Sequence, residues 1–299
     1  MNSSIYGYLT VFHAIVSEGS IAGAARKLEV ASPSVSNSLK LLEQHIGLPL
    51  FNRTTRKIEL TEAGQRLYQN TQSAIQSLAL AVENVQDMGE TPSGLVRITV
   101  SRLGFLTVLQ PHYAEFCRRY PDIQVEISLY DGTVDILKEG FDLGIRFGDK
   151  IEENMIARQL LPAFKEGLFA SKRYEKQFGL PQKPEDLKVH KLVGYRFITA
   201  NRILPLILSD NGEDITVEMP SQVTANDIDV MTDAIRQGLG IGRIFEPILQ
   251  LQHDINEFVP VLKKYWKIYP PVYLYYLQHS QKAKRIRVLI DFLLEKMNG

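Results

Sequence analysis

Residues 20–61 read SIAGAARKLEVASPSVSNSLKLLEQHIGLPLFNRTTRKIELT, and this stretch decides the fold. Ser20 has the side-chain oxygen that satisfies a free amide at a helix start, which predicts a helix over 21–28. Ala22, Ala24 and Ala25 are small enough to admit a second helix close by, with Leu28 closing the contact. Glu29-Val30-Ala31 is the turn. Ser32 is expected to cap a second helix carrying Pro33 at its first position, where a missing amide proton costs nothing. Val35, Leu39 and Leu42 recur at spacings of four and three and so form the buried stripe of that helix. Ser32, Ser34, Ser36, Asn37 and Lys40 are left on its other faces.

Those leftover residues carry the first functional signal. A helix that only has to be soluble usually carries long charged side chains there. A helix that enters a DNA major groove needs short polar groups that let it approach base edges. After it, Leu50-Phe51 and Ile58-Glu59-Leu60 predict two short strands around Thr54-Thr55-Arg56-Lys57, so that Arg53, Arg56 and Lys57 crowd one tip. Helix, turn, helix and basic hairpin make a winged helix-turn-helix. Ser32, Pro33, Ser34, Ser36, Asn37, Lys40, Arg53, Arg56 and Lys57 are its candidate DNA contacts. The stretch resembles the N-terminal domain of LysR-type transcriptional regulators at Phe12, Gly19-Ser20, Ala24-Ala25, Leu28, Pro33, Val35-Ser36, Leu42-Glu43, Gly47, Pro49-Leu50-Phe51, Arg53 and Leu60-Thr61-Glu62-Ala63-Gly64. Relatives often carry Gln at the position of Ser32 and Arg at that of Asn37. This chain has neither, which implies a different operator.

Composition is ordinary for a soluble globular protein. The 299 residues are 44% hydrophobic and 23% charged, enough for two or three domains. No apolar run approaches the ~20 residues of a membrane span. The opening MNSSIYGYLT has no basic region followed by an apolar core and does not read as a signal peptide. One cysteine, Cys117, excludes an internal disulfide framework and suits a reducing cytoplasm. Net charge is zero, yet residues 26–57 hold Arg26, Lys27, Lys40, Arg53, Arg56 and Lys57 against Glu29 and Glu43. DNA needs a local patch, not a basic whole.

Residues 4–17 predict a helix whose Ile5, Leu9, Phe12 and Val16 support the motif from behind. Thr61 is expected to cap a long helix with Glu62 in its first turn, the favourable charge at that end. Leu67, Thr71, Ala74, Leu78, Ala81, Val85 and Met88 alternate spacings of four and three, with Tyr68, Ile75 and Val82 beside them. This repeat favours a helix–helix seam over a helix lying on its own domain. The family resemblance implies that the mate comes from a second subunit, giving a homodimer and, in turn, a homotetramer. Gly89 to Gly94 breaks the helix.

Beyond it, strands alternate with helices: 95–100, 125–129 and 143–147 as strands, with helices over about 104–119 and 133–139. In the first of these helices Phe105, Leu109, Tyr113 and Phe116 are expected to face inward. A second set comprises strands near 164–170, 191–197, 222–224, 241–245 and 272–277, with helices at 171–178, 227–237 and 281–297. The alternation predicts parallel sheets covered by helices, in two α/β lobes. SGLVRITVSRLGF, FCRRYPDIQVEISLYDGTVDILKEGFDLGIRFGD, IARQL, VTANDIDVMTDAIRQGLGIGRI and PPVYLYYLQHSQKAKRIRVLIDFL resemble the effector-binding domain of the same family, itself similar to periplasmic solute-binding proteins. The expected division is a DNA-binding domain over 1–61, a dimerisation helix over 62–90, and an effector domain over 91–299. Within the last, one lobe takes 91–162 with 267–299 and the other 163–266.

Ligands of such sheets bind beyond the carboxyl ends of strands. Ser101, Asp131, Thr133, Arg146 and Asn226 occupy such positions and are the candidate effector contacts, of which the family alignment supports Ser101 and Thr133. Thr133 and Asn226 read equally as N-caps, and Arg146 as an ion-pair partner of Asp131. Arg146 suits a carboxylate, so a small anionic metabolite is expected. Nothing reads as catalytic. The six histidines never sit at metal-ligand spacings, HExxH, CxxC and the phosphate loop are missing, and no cofactor is implied. Gly238-Leu239-Gly240-Ile241-Gly242 follows a helix and enters a strand, so it reads as a helix C-cap and not a dinucleotide fingerprint. Cys117 has arginine neighbours that would favour its thiolate, although packing is the expected role. The whole implies a cytoplasmic bacterial regulator with partners in promoter DNA, a small effector and RNA polymerase. The competing class, a solute-binding protein or enzyme whose fused helix-turn-helix has lost DNA binding, would leave no footprint.

Overall fold

A computed structural model describes residues 4–53, 58–86, 91–151, 155–278 and 280–298, and the chain divides into two compact units, Met1–Met88 and Gly89–Gly299.

In the first unit, α1 (Ser4–Glu18), α2 (Ile21–Lys27) and α3 (Ser32–Ile46) pack around Phe12, Ile15, Ala24, Val35, Leu39 and Leu42. These side chains are at most 1% exposed, so the stripe read from α3 is its core face. Gly23, Ala24 and Ala25 make the close approach of α2, whereas Ala22 is exposed. Ser20 caps α2 by accepting from the Gly23 amide at 3.0 Å. The cap of α3 lies one residue earlier than expected. Ala31 holds the extended cap conformation, its carbonyl accepts from the Ser34 amide, and Ser32 is already helical with no capping side chain. Gly47, at φ 79°, ends α3 in the left-handed region that suits glycine.

Strands β1 (Phe51–Arg53) and β2 (Ile58–Leu60) pair antiparallel, and α4 (Glu62–Gln86) follows. Thr61 caps α4 through the Gly64 amide at 3.0 Å and donates to the Pro49 carbonyl at 2.8 Å. Glu43 of α3 accepts from the Leu50 amide at 2.8 Å, so helix, hairpin and α4 are tied at one point. Leu67 and Tyr68 of α4 pack on the core of this unit, while Leu78 and Val82 are 55% and 61% exposed. The expected seam therefore splits: its first turns cover the unit's own core and its later turns leave apolar side chains in solvent.

The second unit holds two sheets. The strands and helices in chain order are β3 (Gly94–Val100), α5 (Arg102–Gly104), α6 (Tyr113–Arg119), β4 (Ile123–Leu129), α7 (Ile136–Glu139), β5 (Leu143–Phe147), β6 (Ile156–Leu161), β7 (Phe164–Ser171), α8 (Lys172–Phe178), β8 (Leu192–Phe197), β9 (Arg202–Ile203), β10 (Leu206–Asp210), β11 (Glu213–Val217), β12 (Ser221–Ala225), α9 (Ile228–Arg236), β13 (Ile241–Phe245), α10 (Glu246–Gln250), β14 (Phe258–Val261), β15 (Lys267–Tyr269), β16 (Val272–Tyr276) and α11 (Lys284–Asn298). One sheet has the order β4-β3-β5-β16-β6, and the other runs β12-β8-β13-β7-β14 with β9 and β15 attached.

The sheets are mixed, which corrects the all-parallel expectation. β3 runs parallel to β4 and β5, but β16 is antiparallel to β5 and β6, and β7 is antiparallel to β13, β14 and β15. Two helices also differ from expectation. The stretch 104–119 is interrupted after a π-helical turn at Phe105–Leu109, since Pro111 has no amide to continue the ladder. Leu103, Val108, Leu109 and Phe116 are buried there, whereas Tyr113 is 41% exposed. The helix expected from 133 starts only after Asp135, whose carboxylate accepts from the Lys138 amide at 3.0 Å. Gly238, at φ 76°, follows α9 as the expected C-cap glycine. Cys117 is exposed, so packing is not its role.

Candidate functional sites

The first unit presents α3. Ser32, Pro33, Ser34, Asn37 and Lys40 are exposed and Ser36 is half-buried, opposite the Val35–Leu39–Leu42 stripe. The exposed face thus offers hydroxyls, one amide and one cation, groups that donate to or accept from base edges and phosphates. Lys27, counted among the cations of this region, is held by Glu18 at 3.0 Å and Ser17 at 2.7 Å. Its hydrogen bond, and then its charge, keep the Glu18 carboxyl below the usual range. Arg56 and Lys57, and the side chain of Arg53, lie outside the described residues.

In the second unit a cavity of about 390 Å3 opens between the two sheets. Ser101, at the end of β3, Asp131 and Thr133, beyond β4, and Arg146 of β5 all line it. These positions are 45 residues apart along the chain and meet only because β4, β3 and β5 are neighbours running the same way. Arg146 is 4% exposed. It donates to the Ile145 carbonyl at 2.8 Å and to Thr99 Oγ1 at 2.9 Å, and its Nε has no hydrogen-bond partner among the described residues. No carboxylate among the described residues forms an ion pair with it. Asp131 instead accepts from the Arg102 amide at 2.8 Å. Burial raises the Asp131 pKa, opposed by that amide and by the Arg146 charge. Burial also lowers the Arg146 pKa, yet a guanidinium keeps its proton in proteins. The buried cation therefore stands in the cavity wall with no direct ion pair among the described residues, although it feels the charge of Asp131.

Asn226 does not belong to this group. It is exposed, and Asp227 caps α9 by accepting from the Asp229 and Val230 amides. Thr133 is not a cap either, but its amide donates to Thr199 Oγ1 at 3.0 Å. The opposite wall holds residues that the sequence reading missed. Glu166 of β7 and Arg243 of β13 approach to 3.9 Å with both side chains 8% exposed. Burial raises the Glu166 pKa against the pull of Arg243 and a hydrogen bond from Tyr269. Phe147, Phe245 and Tyr269 line the same end with ring centroids 4.9–5.7 Å apart. A charged residue inside an apolar strand is the signal that marks Arg146. It stands equally in FKEGLFAS and IGRIF, where it points to Glu166 and Arg243.

Among the described residues no group of His, Cys, Asp and Glu is placed to hold a metal ion, and no helix is long and apolar enough to cross a membrane.

Comparison with known proteins finds matches over both units. Residues 7–65 match the bacterial regulatory helix-turn-helix proteins of the lysR family, and residues 89–298 match the LysR substrate binding domain. The chain is 29% identical to the uncharacterized HTH-type transcriptional regulator YcaN of Escherichia coli K12, over 94% of this chain and 92% of YcaN. It is 26% identical to the solved full-length Vibrio cholerae virulence activator AphB, covering 97% of this chain and 99% of AphB at a TM-score of 0.63. The full-length regulator LysG of Corynebacterium glutamicum, solved with bound effector Arg, shares the fold at a TM-score of 0.67 and 20% identity, covering 99% of each chain. With an exposed polar face on α3 in one unit, a cavity in the other and family matches spanning both, the chain belongs to the LysR family of transcriptional regulators, with a helix-turn-helix DNA-binding domain and an effector-binding domain, and is not an enzyme.

Proposed function

We propose that the effector of this regulator is a small organic anion held by Arg146, with Ser101 and Thr133 beside it and Asp131 orienting the Arg102 backbone. The observation that supports this is the buried Arg146 guanidinium, whose Nε has no hydrogen-bond partner among the described residues, in the wall of a 390 Å3 cavity. A carboxylate supplies both the countercharge and the acceptor. In the same reading the domains are 1–61, 62–90 and 91–299, the last as two lobes, 91–162 with 267–299 and 163–266. The α3 face of Ser32, Pro33, Ser34, Ser36, Asn37 and Lys40 enters a major groove, with Arg53, Arg56 and Lys57 on the phosphates. The exposed Leu78 and Val82 of α4 support pairing with a second copy into a homodimer, and from there a homotetramer, in the cytoplasm at promoters where RNA polymerase is contacted.

Calorimetric titration of the full chain against organic acids, neutral metabolites and polyamines tests the effector class. Acids are expected to bind, and Arg146→Ala is expected to abolish that heat while basal DNA binding persists. Binding confined to neutral or cationic compounds overturns the anion. Arg146→Ala that lowers thermal stability yet leaves acid binding intact makes Arg146 structural.

A further inference from the structure

Among the described residues, two hydrogen-bonded contacts cross from one sheet to the other at the cavity. Arg102, directly after β3, donates through Nε at 2.8 Å and through Nη2 to the Asp229 carboxylate in the first turn of α9. The Thr133 amide, beyond β4, donates at 3.0 Å to Thr199 Oγ1, which lies between β8 and β9. Both therefore run from the five-stranded sheet to the seven-stranded one, and the residues beside them line the cavity: Ser101 and Asp131 on one side, Ile228 and Ala200 on the other. Gly132 shows how closely the second pair of segments meets. A Cβ there would lie 2.5 Å from Thr199 Oγ1 and 2.4 Å from the Tyr130 ring.

We infer that Arg102–Asp229 and Thr133–Thr199 form a latch across the cleft that limits access to the cavity. The reading rests on that cavity being the effector site, and it concerns how the site opens, not what it holds. At the far end the sheets are joined by the chain itself, where β6 runs into β7 and β15 into β16, around the packed rings of Phe147, Phe164, Phe245 and Tyr269. Backbone continuity cannot open there. The two side-chain contacts can, since each breaks without disturbing a sheet ladder. The Arg102 and Asp229 side chains are 29% and 44% exposed, so water and salt reach the pair and compete with it. The latch also bears on the ligand end: the Arg102 amide holds Asp131, so movement of Arg102 moves a cavity-wall carboxylate.

The test reads opening with no ligand present. Thr232 is 4% exposed, lines the cavity and is close in volume to cysteine. In the full chain carrying C117S, which removes the exposed thiol, T232C is labelled with iodoacetamide, whose lack of charge removes electrostatic bias from the reagent. Asp229→Ala is expected to raise the labelling rate roughly fivefold, the factor a partly exposed ion pair commands. It should also abolish the rise that sodium chloride produces in the parent. Thr199→Ala should raise the rate while leaving its salt dependence intact. The swapped pair R102E/D229K should restore slow labelling, and it carries the test should D229A lose its fold by circular dichroism. Equal rates in parent, T199A and either charge variant overturn the latch. Because no acid is added, this result is independent of whether acids bind.

Discussion

Gly64→Ala sets two effects of opposite sign against each other at one atom. Gly64 sits in the first turn of α4, and by helix propensity alone alanine there gains up to about 1 kcal/mol. The structure reverses the sign. A Cβ on Gly64 would stand 2.1 Å from the Leu50 carbonyl oxygen, 3.1 Å from its carbon and 2.9 Å from Leu60 Cδ2. Leu60 can swing away, but Leu50 cannot. Its amide is held by Glu43 at 2.8 Å and its carbonyl accepts from the Thr61 amide at 3.0 Å. Relief needs a shift of roughly 1 Å, which strains the packing at ~1–3 kcal/mol and loosens a hydrogen bond at ~0.5–1.5 kcal/mol. Against the propensity gain, the net is a loss of about 1–3 kcal/mol. For a unit of this size, that lowers the melting midpoint by about 4–8 °C per kcal/mol. Gly7 of α1 is the control: nothing lies within 4 Å of its Cβ position, so Gly7→Ala should stabilise by up to about 1 kcal/mol. Thermal and urea unfolding of the full chain, followed by DNA binding, measure both. A Gly64→Ala protein as stable as Gly7→Ala would refute the argument that α4 is pinned on the Leu50 carbonyl.

His13 accounts for a pH dependence of the same unit. Its ring stacks on Tyr68 at 4.8 Å and Nε2 lies 2.7 Å from Thr71 Oγ1, and burial lowers its pKa to about 4. The fold thus prefers the neutral ring. Stability is full above the unfolded value near 6.5 and is lost as pH falls toward 4, by about 2 kcal/mol at pH 5. His13→Gln should flatten that slope in urea titrations, and an unchanged slope would assign it to other groups. On α3, Asn37→Ala should lose affinity for operators carrying adenine at the contacted position more than for others, by about 1–3 kcal/mol, measured by gel shift across operator variants. Equal loss on every variant leaves Asn37 a positioning role only. Arg56→Ala should weaken binding to all sequences and lower the salt slope by about 1, and an unchanged slope removes Arg56 from the phosphates.

What the sequence made legible was what is local. The α3 stripe, the Ser20 and Thr61 caps and the strand–helix alternation each depend on residues within one or two turns of each other. The cap of α3 slipped by one because Ser32 and Ala31 both precede Pro33, and only the backbone decides which is already helical. The β10–β11 hairpin escaped although Asn211-Gly212 joins its strands, with φ of 52° and 90° as such turns require. β14 escaped because Pro260 interrupts its strand pattern, a residue tolerated at the edge of the sheet. The cavity was half legible. Ser101, Asp131, Thr133 and Arg146 come from neighbouring parallel strands, so topology alone gathers them. Glu166, Arg243 and Tyr269 belong to strands whose antiparallel pairing was not foreseen.

That missing wall changes the electrostatic argument for the effector. Arg146 alone faced by Asp131 would read as a neutral pair, and Glu166 beside Arg243 as a second. Their protonation is not symmetric, however. Burial pushes Asp131, Glu166 and Arg146 toward the uncharged form, but a guanidinium holds its proton in proteins, while the two carboxyls are raised above their ordinary acidic range. On the proposed reading, the acids are the members that burial has already moved toward the neutral form when a second anion arrives. Asp131 accepts from a backbone amide, and Glu166 takes a hydrogen bond from Tyr269 that a protonated carboxyl also accepts. A carboxylate ligand entering beside Arg146 meets a cation that stays and carboxyls that can become neutral. A cationic ligand meets two arginines that cannot. The asymmetry, not the count of charges, is what supports the proposal of an anionic effector.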